Sequence, residues 1–406
     1  MADPMRQFSE LAGDVRDPYP MFAEIRAGSP VMEVNFAARG NRRRPDENAP
    51  KMPQLFTVFS HDYAREVLTD SVRFSSASYE MTMGQVMGRT ILQMDAPEHL
   101  RHRALVAKAF RARVLDQWSD AVIAATVNEL IDRFAGDGRA DLVRQLTFPF
   151  PVQVIARILG LPKADWPRFQ RLSAELIAVM RNWEGALAAS RELRAYFAEI
   201  IADRRRNTRD DLVSQLVRAD VDGRRLNDDE IYPFLLLLLP AGAETTYRSS
   251  GNLLFGLLTH QGQLDAVRTD RGLVPQAIEE TLRWETPLLT VTRMAAEDLE
   301  LGGVRIPEGA LIAVSLGAAN RDPARYRDPD AFDIFRDPKQ HISFGDGPHT
   351  CLGMHLARLE TRILASAVLN RLPNLRLDPA AEDPHIHGLV FRSPPALEVQ
   401  FDPHFG

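Results

Sequence analysis

The stretch from Asn227 to His260 constrains the fold more than any other part of the sequence. Asn227 can cap a helix with Glu230 three residues further on, an arrangement typical of a helix start. Helical spacing then continues for about 33 residues, or ~50 Å, which is long enough to cross a large domain. The apolar run within it, Phe234–Ala243, covers only about half of the ~20 residues that a membrane span needs. The stretch is therefore predicted to be a buried core helix.

The middle of this helix carries residues that are costly to bury. The string Pro240-Ala-Gly-Ala-Glu-Thr-Thr246 contains a proline, which removes one helical N–H bond, and Gly242, which lets another group approach the backbone closely. Glu244, Thr245 and Thr246 are unfavourable there unless they are satisfied by partners or used in chemistry. The pattern therefore predicts that these side chains are either paired inside the protein or part of a functional site.

The second informative stretch surrounds the only cysteine of the sequence, Cys351. A single cysteine forms no intrachain disulfide and no multi-cysteine metal site. Gly345, Gly347 and Pro348 precede it and predict a sharply turning loop, and helical spacing begins directly after it. Near a helix N-terminus, partial positive charge and free N–H groups stabilise a thiolate. Such a thiolate suits two tasks: attack on an electrophile, or axial ligation of a haem iron.

The composition is that of an ordinary globular chain and narrows the possible partners. Of the 406 residues, 45% are hydrophobic and 26% charged; the formal charge is −6 and the pI about 6.0. This balance does not suggest a nucleic-acid partner. Because the first residues, MADPMRQFSELAGDVRDPYP, hold no apolar stretch, we expect neither a signal peptide nor a membrane anchor. We expect a cytoplasmic protein, which the single cysteine also favours, and one domain over residues 1–406, because no linker separates two halves.

Elsewhere the pattern predicts many helices and a few short strands. From Leu115 to Ala219 it is almost wholly helical. The charged, proline-rich residues Ala37–Pro53 predict an exposed loop, and Ser75–Leu92 a long, methionine-rich connection. Strands are predicted at Pro30–Phe36, Leu55–Phe59, Thr290–Ala295 and Leu311–Ser315, with a hairpin turn at Leu301–Val304.

A further helix start is predicted at Met94–Arg103, with Asp95 as its cap. His99 and Arg103 are four residues apart and therefore share one face. His99 and His102 imitate a metal-binding pair, but the spacing supplies no further ligands for zinc. Taken alone, the histidine–arginine pair is more typical of a solvated helix face than of a binding site.

Separated motifs of the sequence together resemble those of the cytochrome P450 family. In family order they are the His99/Arg103 helix, the Ala-Gly-x-Glu-Thr-Thr string that ends at Thr246, Glu280-Thr-Leu-Arg283, and the F-G-x-G-x-H-x-C-x-G string from Phe344 to Gly353. The resemblance covers roughly His61 to the C-terminus. It implies a mainly α fold with small β-sheets, in which haem lies between the long central helix and the Cys351 helix. The implied activity is that of a haem-thiolate monooxygenase, which inserts one oxygen atom of dioxygen into an organic substrate.

The resemblance also implies roles for individual residues. Cys351 is the implied iron ligand and belongs, with Thr245 and Glu244, to the implied catalytic set; a glutamate stands where the family more often has an aspartate. Glu280, Arg283 and Arg336 are implied to be a structural network that fixes the cysteine loop. No metal other than the haem iron is expected. The implied contacts of haem b, in which the two histidines and the two arginines neutralise the propionates, are His99, Arg103, Ala241, Gly242, Thr245, Arg293, Phe344, Gly345, His349, Cys351 and Gly353.

The pocket positions of the family fall almost entirely on apolar residues of this sequence. The nearby charges are Arg89 and Arg392, whose directions the sequence does not give. Because burial of apolar surface contributes about 25 cal/mol per Å², we expect an apolar substrate of terpenoid, steroid or fatty type. The implied pocket residues are Met83, Val86, Met87, Leu238, Ala241, Leu289, Val291 and Phe391, with Met81, Leu288 and Val390 beside them.

The electrons for this chemistry must come from other proteins, because no flavin or nicotinamide module fits within 406 residues. We expect a ferredoxin and a ferredoxin reductase as separate partners, and a monomeric chain. An acidic ferredoxin would be steered by a basic surface, although a solvated helix face explains the same charges. The basic residues in question are Arg101, Arg103, Lys108, Arg111 and Arg113, together with Arg358 and Arg362 after the cysteine.

Two other functions stay open at this point. A cysteine hydrolase would use Cys351 as nucleophile and His349 as base, although residues two apart at a helix start rarely meet and no third member is evident. A non-enzymatic haem-thiolate sensor would keep the cysteine loop but would have no reason to place Glu244 and Thr245 on the central helix.

Overall fold

Helices form most of the regular structure, as expected for a chain whose apolar residues recur every three to four positions. The computed structural model describes residues 15–33, 53–81, 83–110, 117–177, 182–221 and 223–403. Its α-helices are α1 Tyr19–Gly28, α2 His61–Thr69, α3 Met83–Met87, α4 Glu98–Ala107, α5 Ala125–Ile131, α6 Pro149–Ile158, α7 Trp166–Ile177, α8 Trp183–Arg206, α9 Leu212–Arg218, α10 Asp228–Leu239, α11 Thr245–Thr259, α12 Gln261–Thr269, α13 Val274–Trp284, α14 Leu316–Asn320 and α15 Met354–Arg371.

The predicted central helix is a continuous path made of α10, a π-helical turn at Pro240–Glu244, and α11. Its start has the expected capping box. The Asn227 side chain accepts the Glu230 N–H at 3.0 Å, and the Glu230 carboxylate accepts the Asn227 N–H at 2.9 Å. The turn widens at Pro240, which has no N–H to give to the helical ladder.

Small sheets flank the helices. Their strands are β1 Val31–Glu33, β2 Leu55–Val58, β3 Phe74–Ser75, β4 Arg139–Asp141, β5 Asp220–Val221, β6 Arg224–Arg225, β7 Thr290–Ala295, β8 Leu299–Leu301, β9 Val304–Ile306, β10 Leu311–Ser315, β11 Arg376–Leu377 and β12 Glu398–Gln400. The largest sheet has the strand order β1-β2-β10-β7-β3, in which β10 pairs in parallel with β2 and antiparallel with β7. A second sheet has the order β11-β12-β4, and β5-β6 and β8-β9 are two-stranded.

One large apolar cluster, reaching from Val86 to Phe401, holds the helices together. The central helix runs through it, and α11 packs against both α13 and α15. A separate cluster lies under the largest sheet and includes Val31, Phe56 and Ile312. The helix after Cys351 is thus supported by the central helix and by α13, which carries Glu280 and Arg283.

The structure corrects two local expectations. Asp95 does not cap α4; Pro97 occupies the cap position, and the Asp95 carboxylate accepts the Ser75 hydroxyl at 2.5 Å and the Ser76 N–H at 2.9 Å. The connection predicted to be without regular structure contains a 3₁₀ turn followed by α3. The predicted loop Ala37–Pro53, apart from its last residue, lies outside the described residues.

Candidate active site

The loop before Cys351 is shaped by its glycines. Gly345 and Gly347 adopt φ values of 71° and 70°, a region that favours glycine. A side chain at Gly347 would place its Cβ 2.6 Å from the carbonyl oxygen of Leu68 in α2. The Cys351 N–H donates to the Phe344 carbonyl at 2.8 Å and closes the loop. Conformation and space therefore both require glycine at position 347.

The thiol of Cys351 is half-buried, three residues before α15 begins at Met354. Burial raises the pKa of the thiol, whereas the Gly353 N–H and the positive charges of Arg103 and Arg358 lower it. The expected support of a negative sulfur is therefore present, but it comes from one N–H and two guanidinium groups rather than from a helix that starts at the cysteine itself.

A cationic cluster lies next to the cysteine loop. The rings of His99 and His349 stack with centroids 3.9 Å apart. His99 is 1% exposed, and its Nε2 is buried without a hydrogen-bond partner. Arg103 donates to the carbonyl of Thr350, the neighbour of Cys351, at 2.6 Å, and the buried Arg293 donates to the carbonyl of Thr292 at 2.8 Å. The four predicted propionate partners are thus brought together.

This cluster has excess positive charge. Burial and the nearby His99, Arg293 and Arg103 together lower the pKa of His349 to about 3. Burial also lowers the pKa values of Arg103 and Arg293. Within the described part of the chain, no hydrogen bond joins either guanidinium to a carboxylate, although the charge of Asp95 raises the pKa of Arg293. Buried and half-buried cations with so little acidic compensation suit a ligand that brings its own carboxylates.

The π-helical turn of the central helix borders open space. Ala241 is exposed, and Gly242 and Thr245 are half-buried. The Thr245 hydroxyl donates to the Ala241 carbonyl at 2.9 Å, which leaves the lone pairs of its oxygen available to accept another hydrogen bond. A Cβ on Gly242 would stand 3.0 Å from the side chain of Ile155, so this glycine makes room for α6.

Glu244 is turned away from Thr245 and into the protein. It is 1% exposed, and the fully buried Arg248 donates to its Oε1 at 2.7 Å. Oε2 has no hydrogen-bond partner, and burial raises the pKa of this carboxyl. Sequence reasoning missed Arg248, although its distance of four residues from Glu244 was a usable signal. The two predicted proton-handling residues therefore do not meet in this structure.

The predicted structural network is present. Arg283 donates to both oxygens of Glu280 at 2.7 Å, and Arg336 reaches Glu280 at 3.4 Å. Glu280 also accepts the Asp333 N–H at 2.9 Å. The other donors of Arg283 bond to the carbonyls of Asn320, Pro329 and Ala331. This network joins α13 to the segment that leads into the cysteine loop.

A second network, which sequence reasoning missed, holds the loop from the same helix. Glu279 accepts two hydrogen bonds from Arg358, at 2.6 and 2.7 Å, and contacts His341 at 3.2 Å. The Arg358 guanidinium lies 4.6 Å from the ring centroid of Phe344. Because Glu279 directly precedes Glu280, α13 forms hydrogen bonds both with the segment that leads into the cysteine loop and with α15.

The predicted pocket residues differ in exposure. Met83, Leu238, Val291 and Phe391 are half-buried, whereas Val86 and Met87 belong to the main core. Leu289 is a correction: it is 0% exposed, because it lies just before β7 and packs in a cluster formed with the N-terminal helix α1. The other members of that cluster are Tyr19, Phe22, Phe59 and Ala318.

Arg89 and Arg392, whose side-chain directions the sequence does not give, both have carboxylate partners. Arg89 donates to Glu80 at 2.9 Å and to Glu98 at 3.0 and 2.6 Å on the surface. Arg392 is buried against Glu285, to which its Nε donates at 2.5 Å. Neither guanidinium is therefore free to bind an acidic ligand without giving up a partner.

The fold is mainly helical, and its candidate site combines a cluster of positive charge with a single thiol. The chain belongs to the cytochrome P450 family: the family model described as Cytochrome P450 matches residues 152–400. It is 36% identical over 371 residues to the putative cytochrome P450 YjiB of Bacillus subtilis, covering 89% of each chain. It is 34% identical over 385 residues to the 6-deoxyerythronolide B hydroxylase of Saccharopolyspora erythraea, covering 90% of this chain and 91% of that one. The structure of CYP109E1 from Bacillus megaterium in complex with testosterone matches with a TM-score of 0.85 and 31% identity, over 95% of this chain and 99% of that one.

Membership of the family establishes a haem-dependent monooxygenase of bacterial type with the P450 fold. The residues present fit this cofactor, because the cations around His99, which have little acidic compensation, suit the haem propionates. Across the described ranges, no helix is long and apolar enough to cross a membrane. No group of three or more histidine, cysteine or acidic side chains able to hold a metal ion is found in the same residues.

Proposed function

We propose that Cys351 is the axial ligand of the haem iron and that the cationic cluster beside it binds the propionates. The observation that carries the proposal is the buried, unpartnered Nε2 of His99 next to two guanidinium groups without a hydrogen bond to a carboxylate of the described residues. Arg103 links the two parts of the site, because it bonds to the carbonyl of Thr350, directly before the cysteine. Phe344, Gly345 and Gly353 support this assignment as the loop backbone around the sulfur.

Haem held by a cysteine thiolate supplies the activation of dioxygen. Thr245 is the distal group in this proposal, because the oxygen of its hydroxyl can accept a hydrogen bond while its proton bonds to Ala241. Glu244 would take up and release a proton at Oε2, which has no hydrogen-bond partner, while Arg248 donates to Oε1.

The substrate we propose is an apolar molecule, such as a steroid. Support comes from the half-buried apolar side chains of Met83, Leu238, Val291 and Phe391, and from the occupied partners of Arg89 and Arg392. The testosterone complex of the structurally similar CYP109E1 agrees with a ligand of this class. At about 25 cal/mol per Å² of buried apolar surface, such a skeleton binds without a salt bridge.

We propose that an acidic ferredoxin, reduced by its own reductase, docks near the cysteine helix. The residues that support this docking surface differ from those expected from the sequence. Arg358 already bonds to Glu279, and Lys108 to the carbonyl of Asp220, whereas Arg362 is exposed. Arg111 and Arg113 lie outside the described residues. Arg362, on the same helix as Arg358, is the residue we assign to the docking surface.

We also propose that residues 1–406 form one domain and that the chain acts as a monomer in the cytoplasm. The single large core that spans Val86 to Phe401 supports one domain, and the lone cysteine favours a reducing compartment. Size-exclusion chromatography with light scattering measures the oligomeric state directly.

The test of the iron ligand is the absorption of the reduced, carbon-monoxide-bound protein. A thiolate-ligated haem absorbs at longer wavelength than a histidine-ligated one, and Cys351→Ala should abolish this signature together with turnover. A variant that kept both would refute the assignment. The test also separates the other functions: a hydrolase would need no haem, and a sensor would consume no reductant with substrate. His349 is in addition a poor general base, because its pKa is about 3.

A further inference from the structure

A buried charge cluster outside the haem site connects the N-terminal segment, residues 15–19, to the loop at residues 387–393, which we call the late loop. Arg392 is 1% exposed, and all five of its N–H groups have acceptors. Nε donates to Glu285 at 2.5 Å. Nη1 and Nη2 donate to the carbonyls of Gly388 at 2.6 Å, Val15 at 3.0 Å and Arg16 at 2.8 Å, and again to Glu285 at 3.4 Å. A guanidinium with every donor used fixes the backbone on both sides of it.

Glu285 is shared with two further buried residues. The Tyr19 hydroxyl donates to Glu285 at 2.5 Å, and burial raises the pKa of this tyrosine, so the hydroxyl remains a donor. The Arg321 guanidinium lies 3.4 Å from the centroid of the Tyr19 ring and 3.6 Å from Glu285. We name the group of Tyr19, Glu285, Arg321 and Arg392 the N-terminal hub.

The late loop held by the hub carries a wall of the proposed pocket. The Gly388 N–H donates to the Val15 carbonyl at 2.8 Å, and the Leu289 N–H donates to the Val390 carbonyl at 2.8 Å. Phe391 pairs with Leu288 through an isolated β-bridge. The half-buried Phe391 therefore lies directly before Arg392 and beside Leu288, two residues before β7 begins, without a sheet of its own to position it.

From these contacts we infer that the N-terminal hub is a positioning element for substrate selectivity: it sets where Phe391 stands in the pocket. The inference rests on the proposed function, because the pocket is part of that proposal. Asn252, which donates to the Arg392 carbonyl at 3.1 Å, holds the same loop from the central helix, and the hub supplies its contacts to the N-terminal segment. Removing one hub bond should therefore loosen the loop on that side. The residue after Arg392 carries the displacement inward, because the Ser393 hydroxyl accepts a hydrogen bond from Arg248 at 3.0 Å, and Arg248 also holds Glu244.

The test uses the full-length, haem-loaded protein and two variants of the hub. Tyr19→Phe removes one hydroxyl and keeps the ring beneath Arg321, and Arg392→Lys keeps the charge with three donors in place of five. Hydrogen exchange followed by mass spectrometry reports on peptides that span residues 387–393. Optical titration with imidazole and with clotrimazole then compares a probe that needs only the iron with one whose aromatic rings fill the pocket.

We expect Tyr19→Phe to accelerate exchange in the late loop and to change the ratio of clotrimazole to imidazole affinity by about threefold or more, since a hydrogen bond to a buried charge is lost. Arg392→Lys should change the exchange rate of the late loop and the affinity ratio further in the same direction. The matched control is Arg204→Lys, because Arg204 is buried as well, at 4% exposure, but bonds to Asp211 and Gly160, which are not pocket residues. It should leave exchange in the loop and the affinity ratio at their wild-type values.

Unchanged exchange in both hub variants overturns the claim that the hub holds the loop. Faster exchange with an unchanged affinity ratio overturns its role in selectivity. Failure of the proposed function has a different signature: wild-type protein that binds no imidazole lacks the haem site, while hydrogen exchange still decides whether the hub positions the loop.

Discussion

Replacing Arg248 by methionine tests how the central helix holds its buried carboxylate. Arg248 and Glu244 are 0% and 1% exposed, and two guanidinium nitrogens lie 2.7 and 2.6 Å from Glu244 Oε1. Removing one partner of such a pair costs about 3–5 kcal/mol, because the other charge is left buried and unpaired. Replacing both partners by neutral residues is often close to neutral. We therefore expect Arg248→Met to lower the free energy of unfolding by about 3–5 kcal/mol, and the additional change Glu244→Gln to recover most of it.

The pH dependence gives this prediction a sign. Burial holds the pKa of Glu244 above its ordinary value of 4.5 even beside Arg248, and loss of the guanidinium should raise it further. The folded state then binds a proton more tightly than the unfolded state, so the stability from protonated Glu244 is fully present below about pH 4.5 and is lost as the pH rises through the folded pKa. Urea unfolding followed by circular dichroism at several pH values measures this slope. The double variant Arg248→Met/Glu244→Gln is the control: it lacks the carboxyl, so its stability should not show this pH dependence.

The reasoning about the buried pair would be refuted by an Arg248→Met protein that unfolds like the wild type at neutral pH. A double variant less stable than both single variants would contradict it as well, because it would show that Glu244 and Arg248 contribute independently.

Other perturbations test the oxygen site, the loop and the docking surface. Thr245→Ala should retain haem and substrate but divert reductant to hydrogen peroxide, measured as product formed per reductant consumed. Gly347→Ala should lose about 1–2 kcal/mol from its positive φ alone, and more from the 2.6 Å approach to Leu68, in urea unfolding. Arg362→Glu should slow reduction by an acidic ferredoxin and weaken the dependence of that rate on ionic strength.

Each of these has a control and an opposing result. For the glycine, Gly303→Ala has a comparable φ of 79° but nothing within 4 Å, so equal losses in the two variants would remove the steric part of the reasoning. For Thr245, Thr245→Ser should keep most of the coupling, and full coupling in the alanine variant would exclude the residue from proton handling. For docking, Arg371→Glu alters charge at the far end of the same helix, and equal slowing by both would argue against a local surface.

Local chemistry made much of this fold predictable. The capping box at Asn227, the strands at Thr290–Ala295 and Leu311–Ser315, and the hairpin turn at Gly302 follow from neighbours in sequence. Each depends on hydrogen bonds or side-chain alternation within a few residues. Patterns of this kind carry the same physical information in the sequence as in the structure.

The misses involve residues whose partners are distant in sequence or whose direction depends on packing. Asp95 caps nothing because Ser75 and Ser76, in another element, compete for its carboxylate. The pocket assignment of Leu289 was wrong because the N-terminal cluster of Tyr19 and Phe22 buries it. The direction of Arg392 depends on carbonyl groups near residue 15, which no local pattern reveals. Glu244 and Thr245 are adjacent in sequence and therefore point to different sides of the helix, but the sequence does not tell which of them faces a neighbouring helix.

The parallel pairing of β2 with β10 has a consequence for biosynthesis. β2 ends at Val58, and its partner begins only at Leu311. A ribosome that adds ~5–20 residues per second needs about 10–50 s to make the roughly 250 residues between them. During that time Leu55–Val58 has only β1 beside it, and one edge of the strand is open to other nascent chains. Synthesis of the second half of the protein therefore closes a sheet that the first half begins.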